Sequence, residues 1–245
     1  MKFKTLVLFI SFIATLNSCI FTEEIYVHKD GSGNFSLKMD MGELMKGLPK
    51  NNDKDSLQHS KVIDSIIFFK DILVEHKDSI SQLSKEKQEA VEALKDLKLE
   101  MHVNEDKGEM LLDFRLDFKD PSELKNMQEK IALAQSFNDK KNKDKEVPSK
   151  TTVDYLFNGR TFKRKVVLKD LSEEELKKVD KSLQQASTFL EGSTYRLIYH
   201  FDKKIKKVSL KDAVISKDKK TMTFEVSMDS LTKNPQLLDF EVRLK

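Results

Sequence analysis

Residues 97–118 read LKLEMHVNEDKGEMLLDFRLDF, and their apolar positions recur with a period of two on both sides of a polar hexapeptide. Leu97, Leu99, Met101 and Val103 alternate, NEDKGE carries no apolar side chain, and Met110, Leu112, Phe114, Leu116 and Phe118 alternate back. Successive side chains of a strand point to opposite faces, so this spacing gathers nine apolar residues on one side of a hairpin and would scatter them around a helix. An isolated hairpin is marginal in water. The chain therefore has to supply more sheet, or helices, to cover that face.

The same pattern recurs elsewhere. Ile25 and Val27 alternate before Asp30-Gly31-Ser32-Gly33, and Phe35, Leu37, Met39 and Met41 alternate after it. Val153, Tyr155 and Phe157 lead into Asn158-Gly159, a tight-turn dipeptide, and Phe162, Val166 and Leu168 return. The last third is strand-rich over 195–201, 208–210, 213–215, 222–228 and 238–244. Helices are expected from Asp40 with Glu43 three residues on, over 85–96 with Val91 and Leu94 on one face, after Asp120-Pro121-Ser122-Glu123 with Ile131, Leu133 and Ala134 as its apolar side, and after Ser172 with Glu175. Residues 56–96 look mostly helical, although Val62, Ile66 and Phe68 also fit a short extended lead before a helix over 70–80. The segments 49–55 and 138–150 read as loops, the second a flexible connection or a boundary. The fold class that follows is α+β: antiparallel β-hairpins and sheet with several packed helices. Phe35-x-Leu37-x-Met39-Asp40 also echoes Phe224-x-Val226-x-Met228-Asp229, a pattern that a duplication would produce.

The N-terminus carries a different signal. Lys2 and Lys4 precede the apolar run 6–14, which closes on Leu16-Asn17-Ser18-Cys19. A positive start, a short apolar stretch and a small residue before the cut are the parts of a secretory signal peptide, and the run is too short to span a bilayer. The closing residues resemble the lipobox of bacterial lipoproteins, which implies lipid on the Cys19 sulfur and cleavage ahead of it. Cys19 is the sole cysteine, so no intramolecular disulfide can form. The expected organisation is 1–18 lipoprotein signal peptide, 19–23 lipid-anchored tether, and 24–245 an α+β envelope domain, with division into two subdomains at 138–150 as the alternative. Loss of Lys2 and Lys4 takes the 44 basic residues to 42 against 41 acidic ones, so net charge calls for neither nucleic acid nor an acidic substrate.

With that lipobox, IYVHKDGSGNFSLKMDM (25–41) and YRLIYHFDKKIKKVSLKDAVISKDKKTMTFEVSMDSL (195–231) resemble envelope lipoproteins of Bacteroidota, and the strand patterns look like the LppM-type lipoprotein domain. The resemblance covers about 90 residues in two pieces and implies an α+β fold and a lipid-anchored place in the outer membrane, on its periplasmic side or at the cell surface. It carries over no catalytic residue. Ile20 rather than Asp follows the cysteine, so the enterobacterial inner-membrane retention signal is absent, and Glu23-Glu24 looks like the acidic surface-export signals of that phylum.

Catalytic patterns are sparse. Asp30 to Asn34 lacks the further carboxylates of a calcium loop and the Gly-Lys-Ser/Thr ending of a phosphate loop. His28, His59, His76, His102 and His200 form no zinc spacing, and no Gly-x-Ser-x-Gly elbow occurs. No cofactor beyond the lipid on Cys19, no metal and no catalytic residue is expected. Two basic clusters stand out as candidate contacts for an anionic surface: Arg160, Lys163, Arg164 and Lys165, and Lys203, Lys204, Lys206 and Lys207. The leading expectation is a non-enzymatic binding or structural module attached to a membrane, with an envelope protein or anionic lipid as partner. The alternatives are an envelope glycan or peptide hydrolase built on a buried carboxylate pair, and a carrier with an apolar cavity lined by Phe114, Phe118 and Phe224. Convergence of the two basic clusters would favour the first.

Overall fold

The computed structural model describes residues 19–47, 62–136 and 147–245. Strands β1 (Ile20–Val27) and β2 (Gly33–Asp40) form the first hairpin and lead into α1 (Gly42–Gly47). Asp40 Oδ1 accepts from the Gly42 amide at 3.1 Å, so the expected helix start exists, but the helix is six residues long. Residues 62–68 resolve to a strand, β3 (Val62–Phe68), because they pair with β4 (Lys98–Asn104) across the helices between them. Those helices are α2 (Phe69–Glu75), α3 (Lys77–Ser81) and α4 (Lys85–Glu92). β5 (Glu109–Phe118) completes the second hairpin. The Asp120–Glu123 capping box is present, yet it opens a 3-10 turn at Pro121–Leu124, and α5 (Met127–Ser136) starts afresh after Asn126 at φ 51°. Of the 138–150 connection, residues 138–146 lie outside the described residues, as does the 49–55 loop.

β6 (Thr151–Phe157) and β7 (Thr161–Leu168) turn at Asn158-Gly159, with Gly159 at φ 81° and Asn158 Oδ1 accepting from the Arg160 and Thr161 amides. The capped helix α6 (Glu173–Leu190) follows, with both halves of the Ser172/Glu175 box formed. The remaining elements are β8 (Thr194–Phe201), β9 (Ile205–Val208), β10 (Val214–Ile215), β11 (Thr221–Ser227), α7 (Met228–Lys233), a second 3-10 turn at Pro235–Leu238, and β12 (Phe240–Leu244).

These strands make two sheets, ordered β10-β11-β8-β1-β2-β5-β4-β3 and β6-β7-β12-β9. Every pairing is antiparallel except β1 with β8, which run side by side from Ile20↔Thr194 to Val27↔Phe201. One buried cluster lies between the sheets, holding Ile25, Phe35, Leu37, Phe114 and Leu116 from before the 138–150 connection and Phe162, Leu197, Tyr199, Phe240 and Val242 from after it. The two halves thus share both the larger sheet and the core.

The pairing also decides two expectations about β1 and β2. Ile20 already opposes Asp40 and Thr194, and the Thr194 amide bonds the Cys19 carbonyl at 3.1 Å. Residues 20–23 are therefore strand, not tether, because their alternation continues the core pattern of Ile25 and Val27. The 35–40 and 224–229 echo is not a rotational repeat. β2 flanks β1 and β11 flanks β8 on the outer sides of a parallel pair, while both hairpins turn Phe35, Leu37, Phe224 and Val226 to the same core. Seen from that core the two hairpins have opposite hand.

Candidate functional site

Glu23 and Arg164 meet in the interior. Glu23 falls on the core-facing parity of β1, between Phe21 and Ile25, and Arg164 on that of β7, between Phe162 and Val166. Both are buried, at 1% and 3% exposure. Glu23 Oε1 accepts from Tyr155 Oη at 3.0 Å, Arg164 Nε at 3.3 Å and Tyr199 Oη; Oε2 accepts from Tyr195 Oη at 2.8 Å and Arg164 Nη2 at 3.5 Å. Arg164 Nη1 donates to the Leu238 carbonyl at 3.0 Å. Burial alone would raise the Glu23 carboxyl, but the Arg164 charge and the tyrosine hydroxyls outweigh it and hold the group below its ordinary value. Burial, reinforced by the Glu23 charge, pushes Tyr195 and Tyr199 well above theirs. The cluster ties β1 and β8 of one sheet to β6, β7 and the approach to β12 of the other.

This position corrects two expectations. Arg164 is not a surface contact: its strand parity turns it inward, away from Lys163 and Lys165, which are exposed. Glu23-Glu24 is not an exposed acidic pair either. Glu23 is in the core, and Glu24 is held by Lys38 at 2.6 Å and His200 Nε2 at 3.0 Å on the opposite face of the sheet. Glu23 is the sole buried carboxylate among the described residues, so the paired-carboxylate arrangement of a hydrolase is not formed there. Phe114 and Phe118 are core residues on β5, and Phe224 packs against the same core from β11, four strands away, so the three do not frame one cavity. An open cleft of about 790 Å³ lies elsewhere, lined by Ile66, Leu111 and, among others, the carboxylates of Asp40, Asp64, Glu100 and Asp113, none of which is buried.

The other basic residues converge. β12 lies between β7 and β9, so the smaller sheet places the 160–165 and 203–207 segments on either side of one strand. Arg160, Lys163 and Lys206 line one concavity of about 720 Å³, joined by Arg243 and Lys245 from the end of β12. Lys203 Nζ donates to the Gly159 carbonyl at 2.6 Å, and the Lys245 amide to the Lys204 carbonyl at 2.9 Å, which locks the two segments together. Among the described residues Glu241 is the one acidic side chain on this wall; Arg243 at 2.7 Å and Lys163 at 3.0 Å hold its carboxyl below the usual range. The side chains of Arg160, Lys204 and Lys206 form no ion pair among the described residues. Lys165 and Lys207 lie exposed on the flanking strands β7 and β9. The contribution of Arg243 and Lys245 was not legible, since single cations in a terminal strand join the site only through register with β7 and β9.

The concavity sits at the far end of β1 and β8 from Cys19. β8 starts beside Cys19 and ends at Phe201, from which Asp202 to Lys204 continue directly. The Phe201 amide bonds the Lys220 carbonyl and the Ile205 amide the Lys219 carbonyl, so two further lysines join this end. Seven strand steps from Ile20 to Val27 separate the ends by roughly 23 Å.

Among the described residues, no group of three or more His, Cys, Asp or Glu could hold a metal ion, and no helix is long and apolar enough to cross a membrane. No protein-family model matches the chain, and no curated protein matches it. Among solved structures, the NMR structure of the folded domain of LppM from Mycobacterium tuberculosis aligns over 93% of this chain and 89% of that chain, at 9% identity and a TM-score of 0.34.

Proposed function

We propose that this chain is a lipid-anchored cell-envelope protein, acylated on Cys19, whose α+β domain is a non-enzymatic binding module presenting its basic end to an anionic partner. The observation that carries this reading is the placement of the two features at opposite ends of β1: Cys19 enters the sheet with no spacer, and the basic concavity lies roughly 23 Å away. A lipid at Cys19 would hold one end of the domain at the bilayer and turn the other away from it. The partner is then sought across the periplasm or outside the cell, not in the head groups beside the anchor. The lipobox residues and Ile20 after the cysteine support an outer-membrane location, in keeping with the Bacteroidota resemblance. The engagement of Glu23 by Arg164 and three tyrosines supports a structural role for this buried carboxylate.

The test is metabolic labelling with radiolabelled palmitate in cells expressing the wild type and Cys19→Ala. Label in the wild type and none in the variant is the expected result. Equal label in both, or label in neither, contradicts the anchor.

A further inference from the structure

We infer that the concavity between β7, β12 and β9 is a binding site for a phosphorylated saccharide, a ligand carrying clustered phosphates on a polyhydroxyl scaffold. This rests on the reading of the basic end as the binding face and names its ligand class. Five cationic side chains, Arg160, Lys163, Lys206, Arg243 and Lys245, surround one carboxylate, Glu241, which is already taken by Lys163 and Arg243. Arg160 and Lys206 are exposed and have no ion-pair partner among the described residues. Such an excess is repulsive unless an external anion satisfies it, and arginine's planar fork matches a phosphate with two parallel hydrogen bonds.

The wall is not only cationic. Asn158 and Thr161 bring an amide and a hydroxyl to the same surface, while Leu244 turns its side chain into the core. Neutral donors and acceptors interleaved with the cations suit the hydroxyls of a sugar between its phosphates better than the bare phosphates of a flat bilayer. The 720 Å³ volume lies in the range that holds small ligands. The backbone is fixed independently of any ligand: the Leu244 amide bonds the Arg160 carbonyl at 2.7 Å, and Asn158 Oδ1 clamps the turn that carries Arg160. The backbone that carries the cations is therefore in place before binding.

An acidic protein segment would offer carboxylates spaced along an extended chain, and a membrane would offer phosphates in a plane. Neither matches a concave wall assembled from the β6–β7 turn, β7, β9 and the end of β12.

The experiment uses residues 19–245 with Cys19→Ser, which contains every described strand and the whole core cluster. Titration calorimetry compares inositol hexakisphosphate, poly-glutamate, and vesicles of phosphatidylcholine with phosphatidylglycerol. The expected result is saturable binding of inositol hexakisphosphate, at least about tenfold tighter than either other probe, and weakened at least about tenfold in Arg160→Ala/Lys206→Ala/Lys245→Ala. Arg160→Lys should fall between wild type and Arg160→Ala, since lysine keeps the charge and loses the fork, and Lys177→Ala/Lys181→Ala on α6 should retain all of the affinity. Thermal melts confirm that each variant is folded, as expected for exposed side chains. Tighter binding to poly-glutamate would make the partner an acidic protein, and tighter binding to vesicles would make it a membrane; either overturns the assignment, as does an unchanged affinity in the triple variant or no binding at all. Failure here with palmitate labelling intact removes the ligand class and leaves the anchor; loss of labelling removes the anchor whatever this titration gives.

Discussion

Glu23 and Arg164 are the residues where the period-two pattern breaks, each a charge on the apolar parity of a strand. Only the break in β7 was visible, with Arg164 between Phe162 and Val166; residues 19–23 read as tether, so Glu23 carried no such signal, and the pair became legible only when β1 and β7 faced each other. Removing one partner leaves the other charged and buried, so Arg164→Leu should cost about 3–5 kcal/mol in a denaturant titration. Replacing the pair by apolar residues would not be neutral here, because the hydroxyls of Tyr155, Tyr195 and Tyr199 lose their shared acceptor. Restoring stability to a Glu23→Leu/Arg164→Leu variant should require Tyr→Phe at those positions as well. The pH signs follow from the same contacts. Glu23 is depressed in the folded state, so its contribution is present above the ordinary glutamate value of about 4.3 and is lost as pH falls through the depressed value. The tyrosines are raised, so theirs is present below about pH 10 and is lost as pH climbs through the raised values. Ultraviolet titration should show Tyr155, Tyr195 and Tyr199 ionising only together with unfolding. Their ionisation near pH 10 in the folded protein would refute the buried cluster.

The hairpins were legible because each combines alternation with a turn that its residues can make. At the first of them the turn leaves no room for a side chain: a Cβ at Gly33 would stand 1.8 Å from the Tyr26 carbonyl oxygen and 2.6 Å from Phe118 Cζ. Gly33→Ala should therefore destabilise by about 1–3 kcal/mol, measured as a lowered midpoint in urea. β3 was ambiguous because Val62, Ile66 and Phe68 satisfy either period over so short a run, and its pairing with β4 is a long-range fact. The 3-10 turn after Asp120 had the same limit. A capping box shows where a helical turn starts and not how far it runs, and here Asn126 in the left-handed region ends it. The parallel contact of β1 with β8 joins strands 174 residues apart in register, Ile20↔Thr194, and no local pattern announces it.

For the whole molecule, that parallel pair is the axis on which the proposed function depends. It carries the chain from Cys19 to the hairpin at His28–Ser32, and from Thr194 beside Cys19 to the basic segment after Phe201. Both basic clusters stood out in the sequence, but their convergence depends on β12 lying between them, and their distance from Cys19 on the strand direction. Binding through this end should weaken with rising salt, since the concavity's rim cations are exposed and screened; a salt-independent affinity would point to an apolar site instead. The most direct test of the two-ended arrangement uses the lone cysteine. With Cys19 acylated, the protein has no other thiol, so Lys204→Cys and Asp229→Cys can each be labelled alone with a fluorophore and the protein reconstituted in vesicles containing a quencher at the bilayer surface. The label at 229, in α7 beside Ser193, should be quenched and the label at 204 should not. Quenching at 204 with none at 229 would place the basic end on the anchoring membrane and contradict the account.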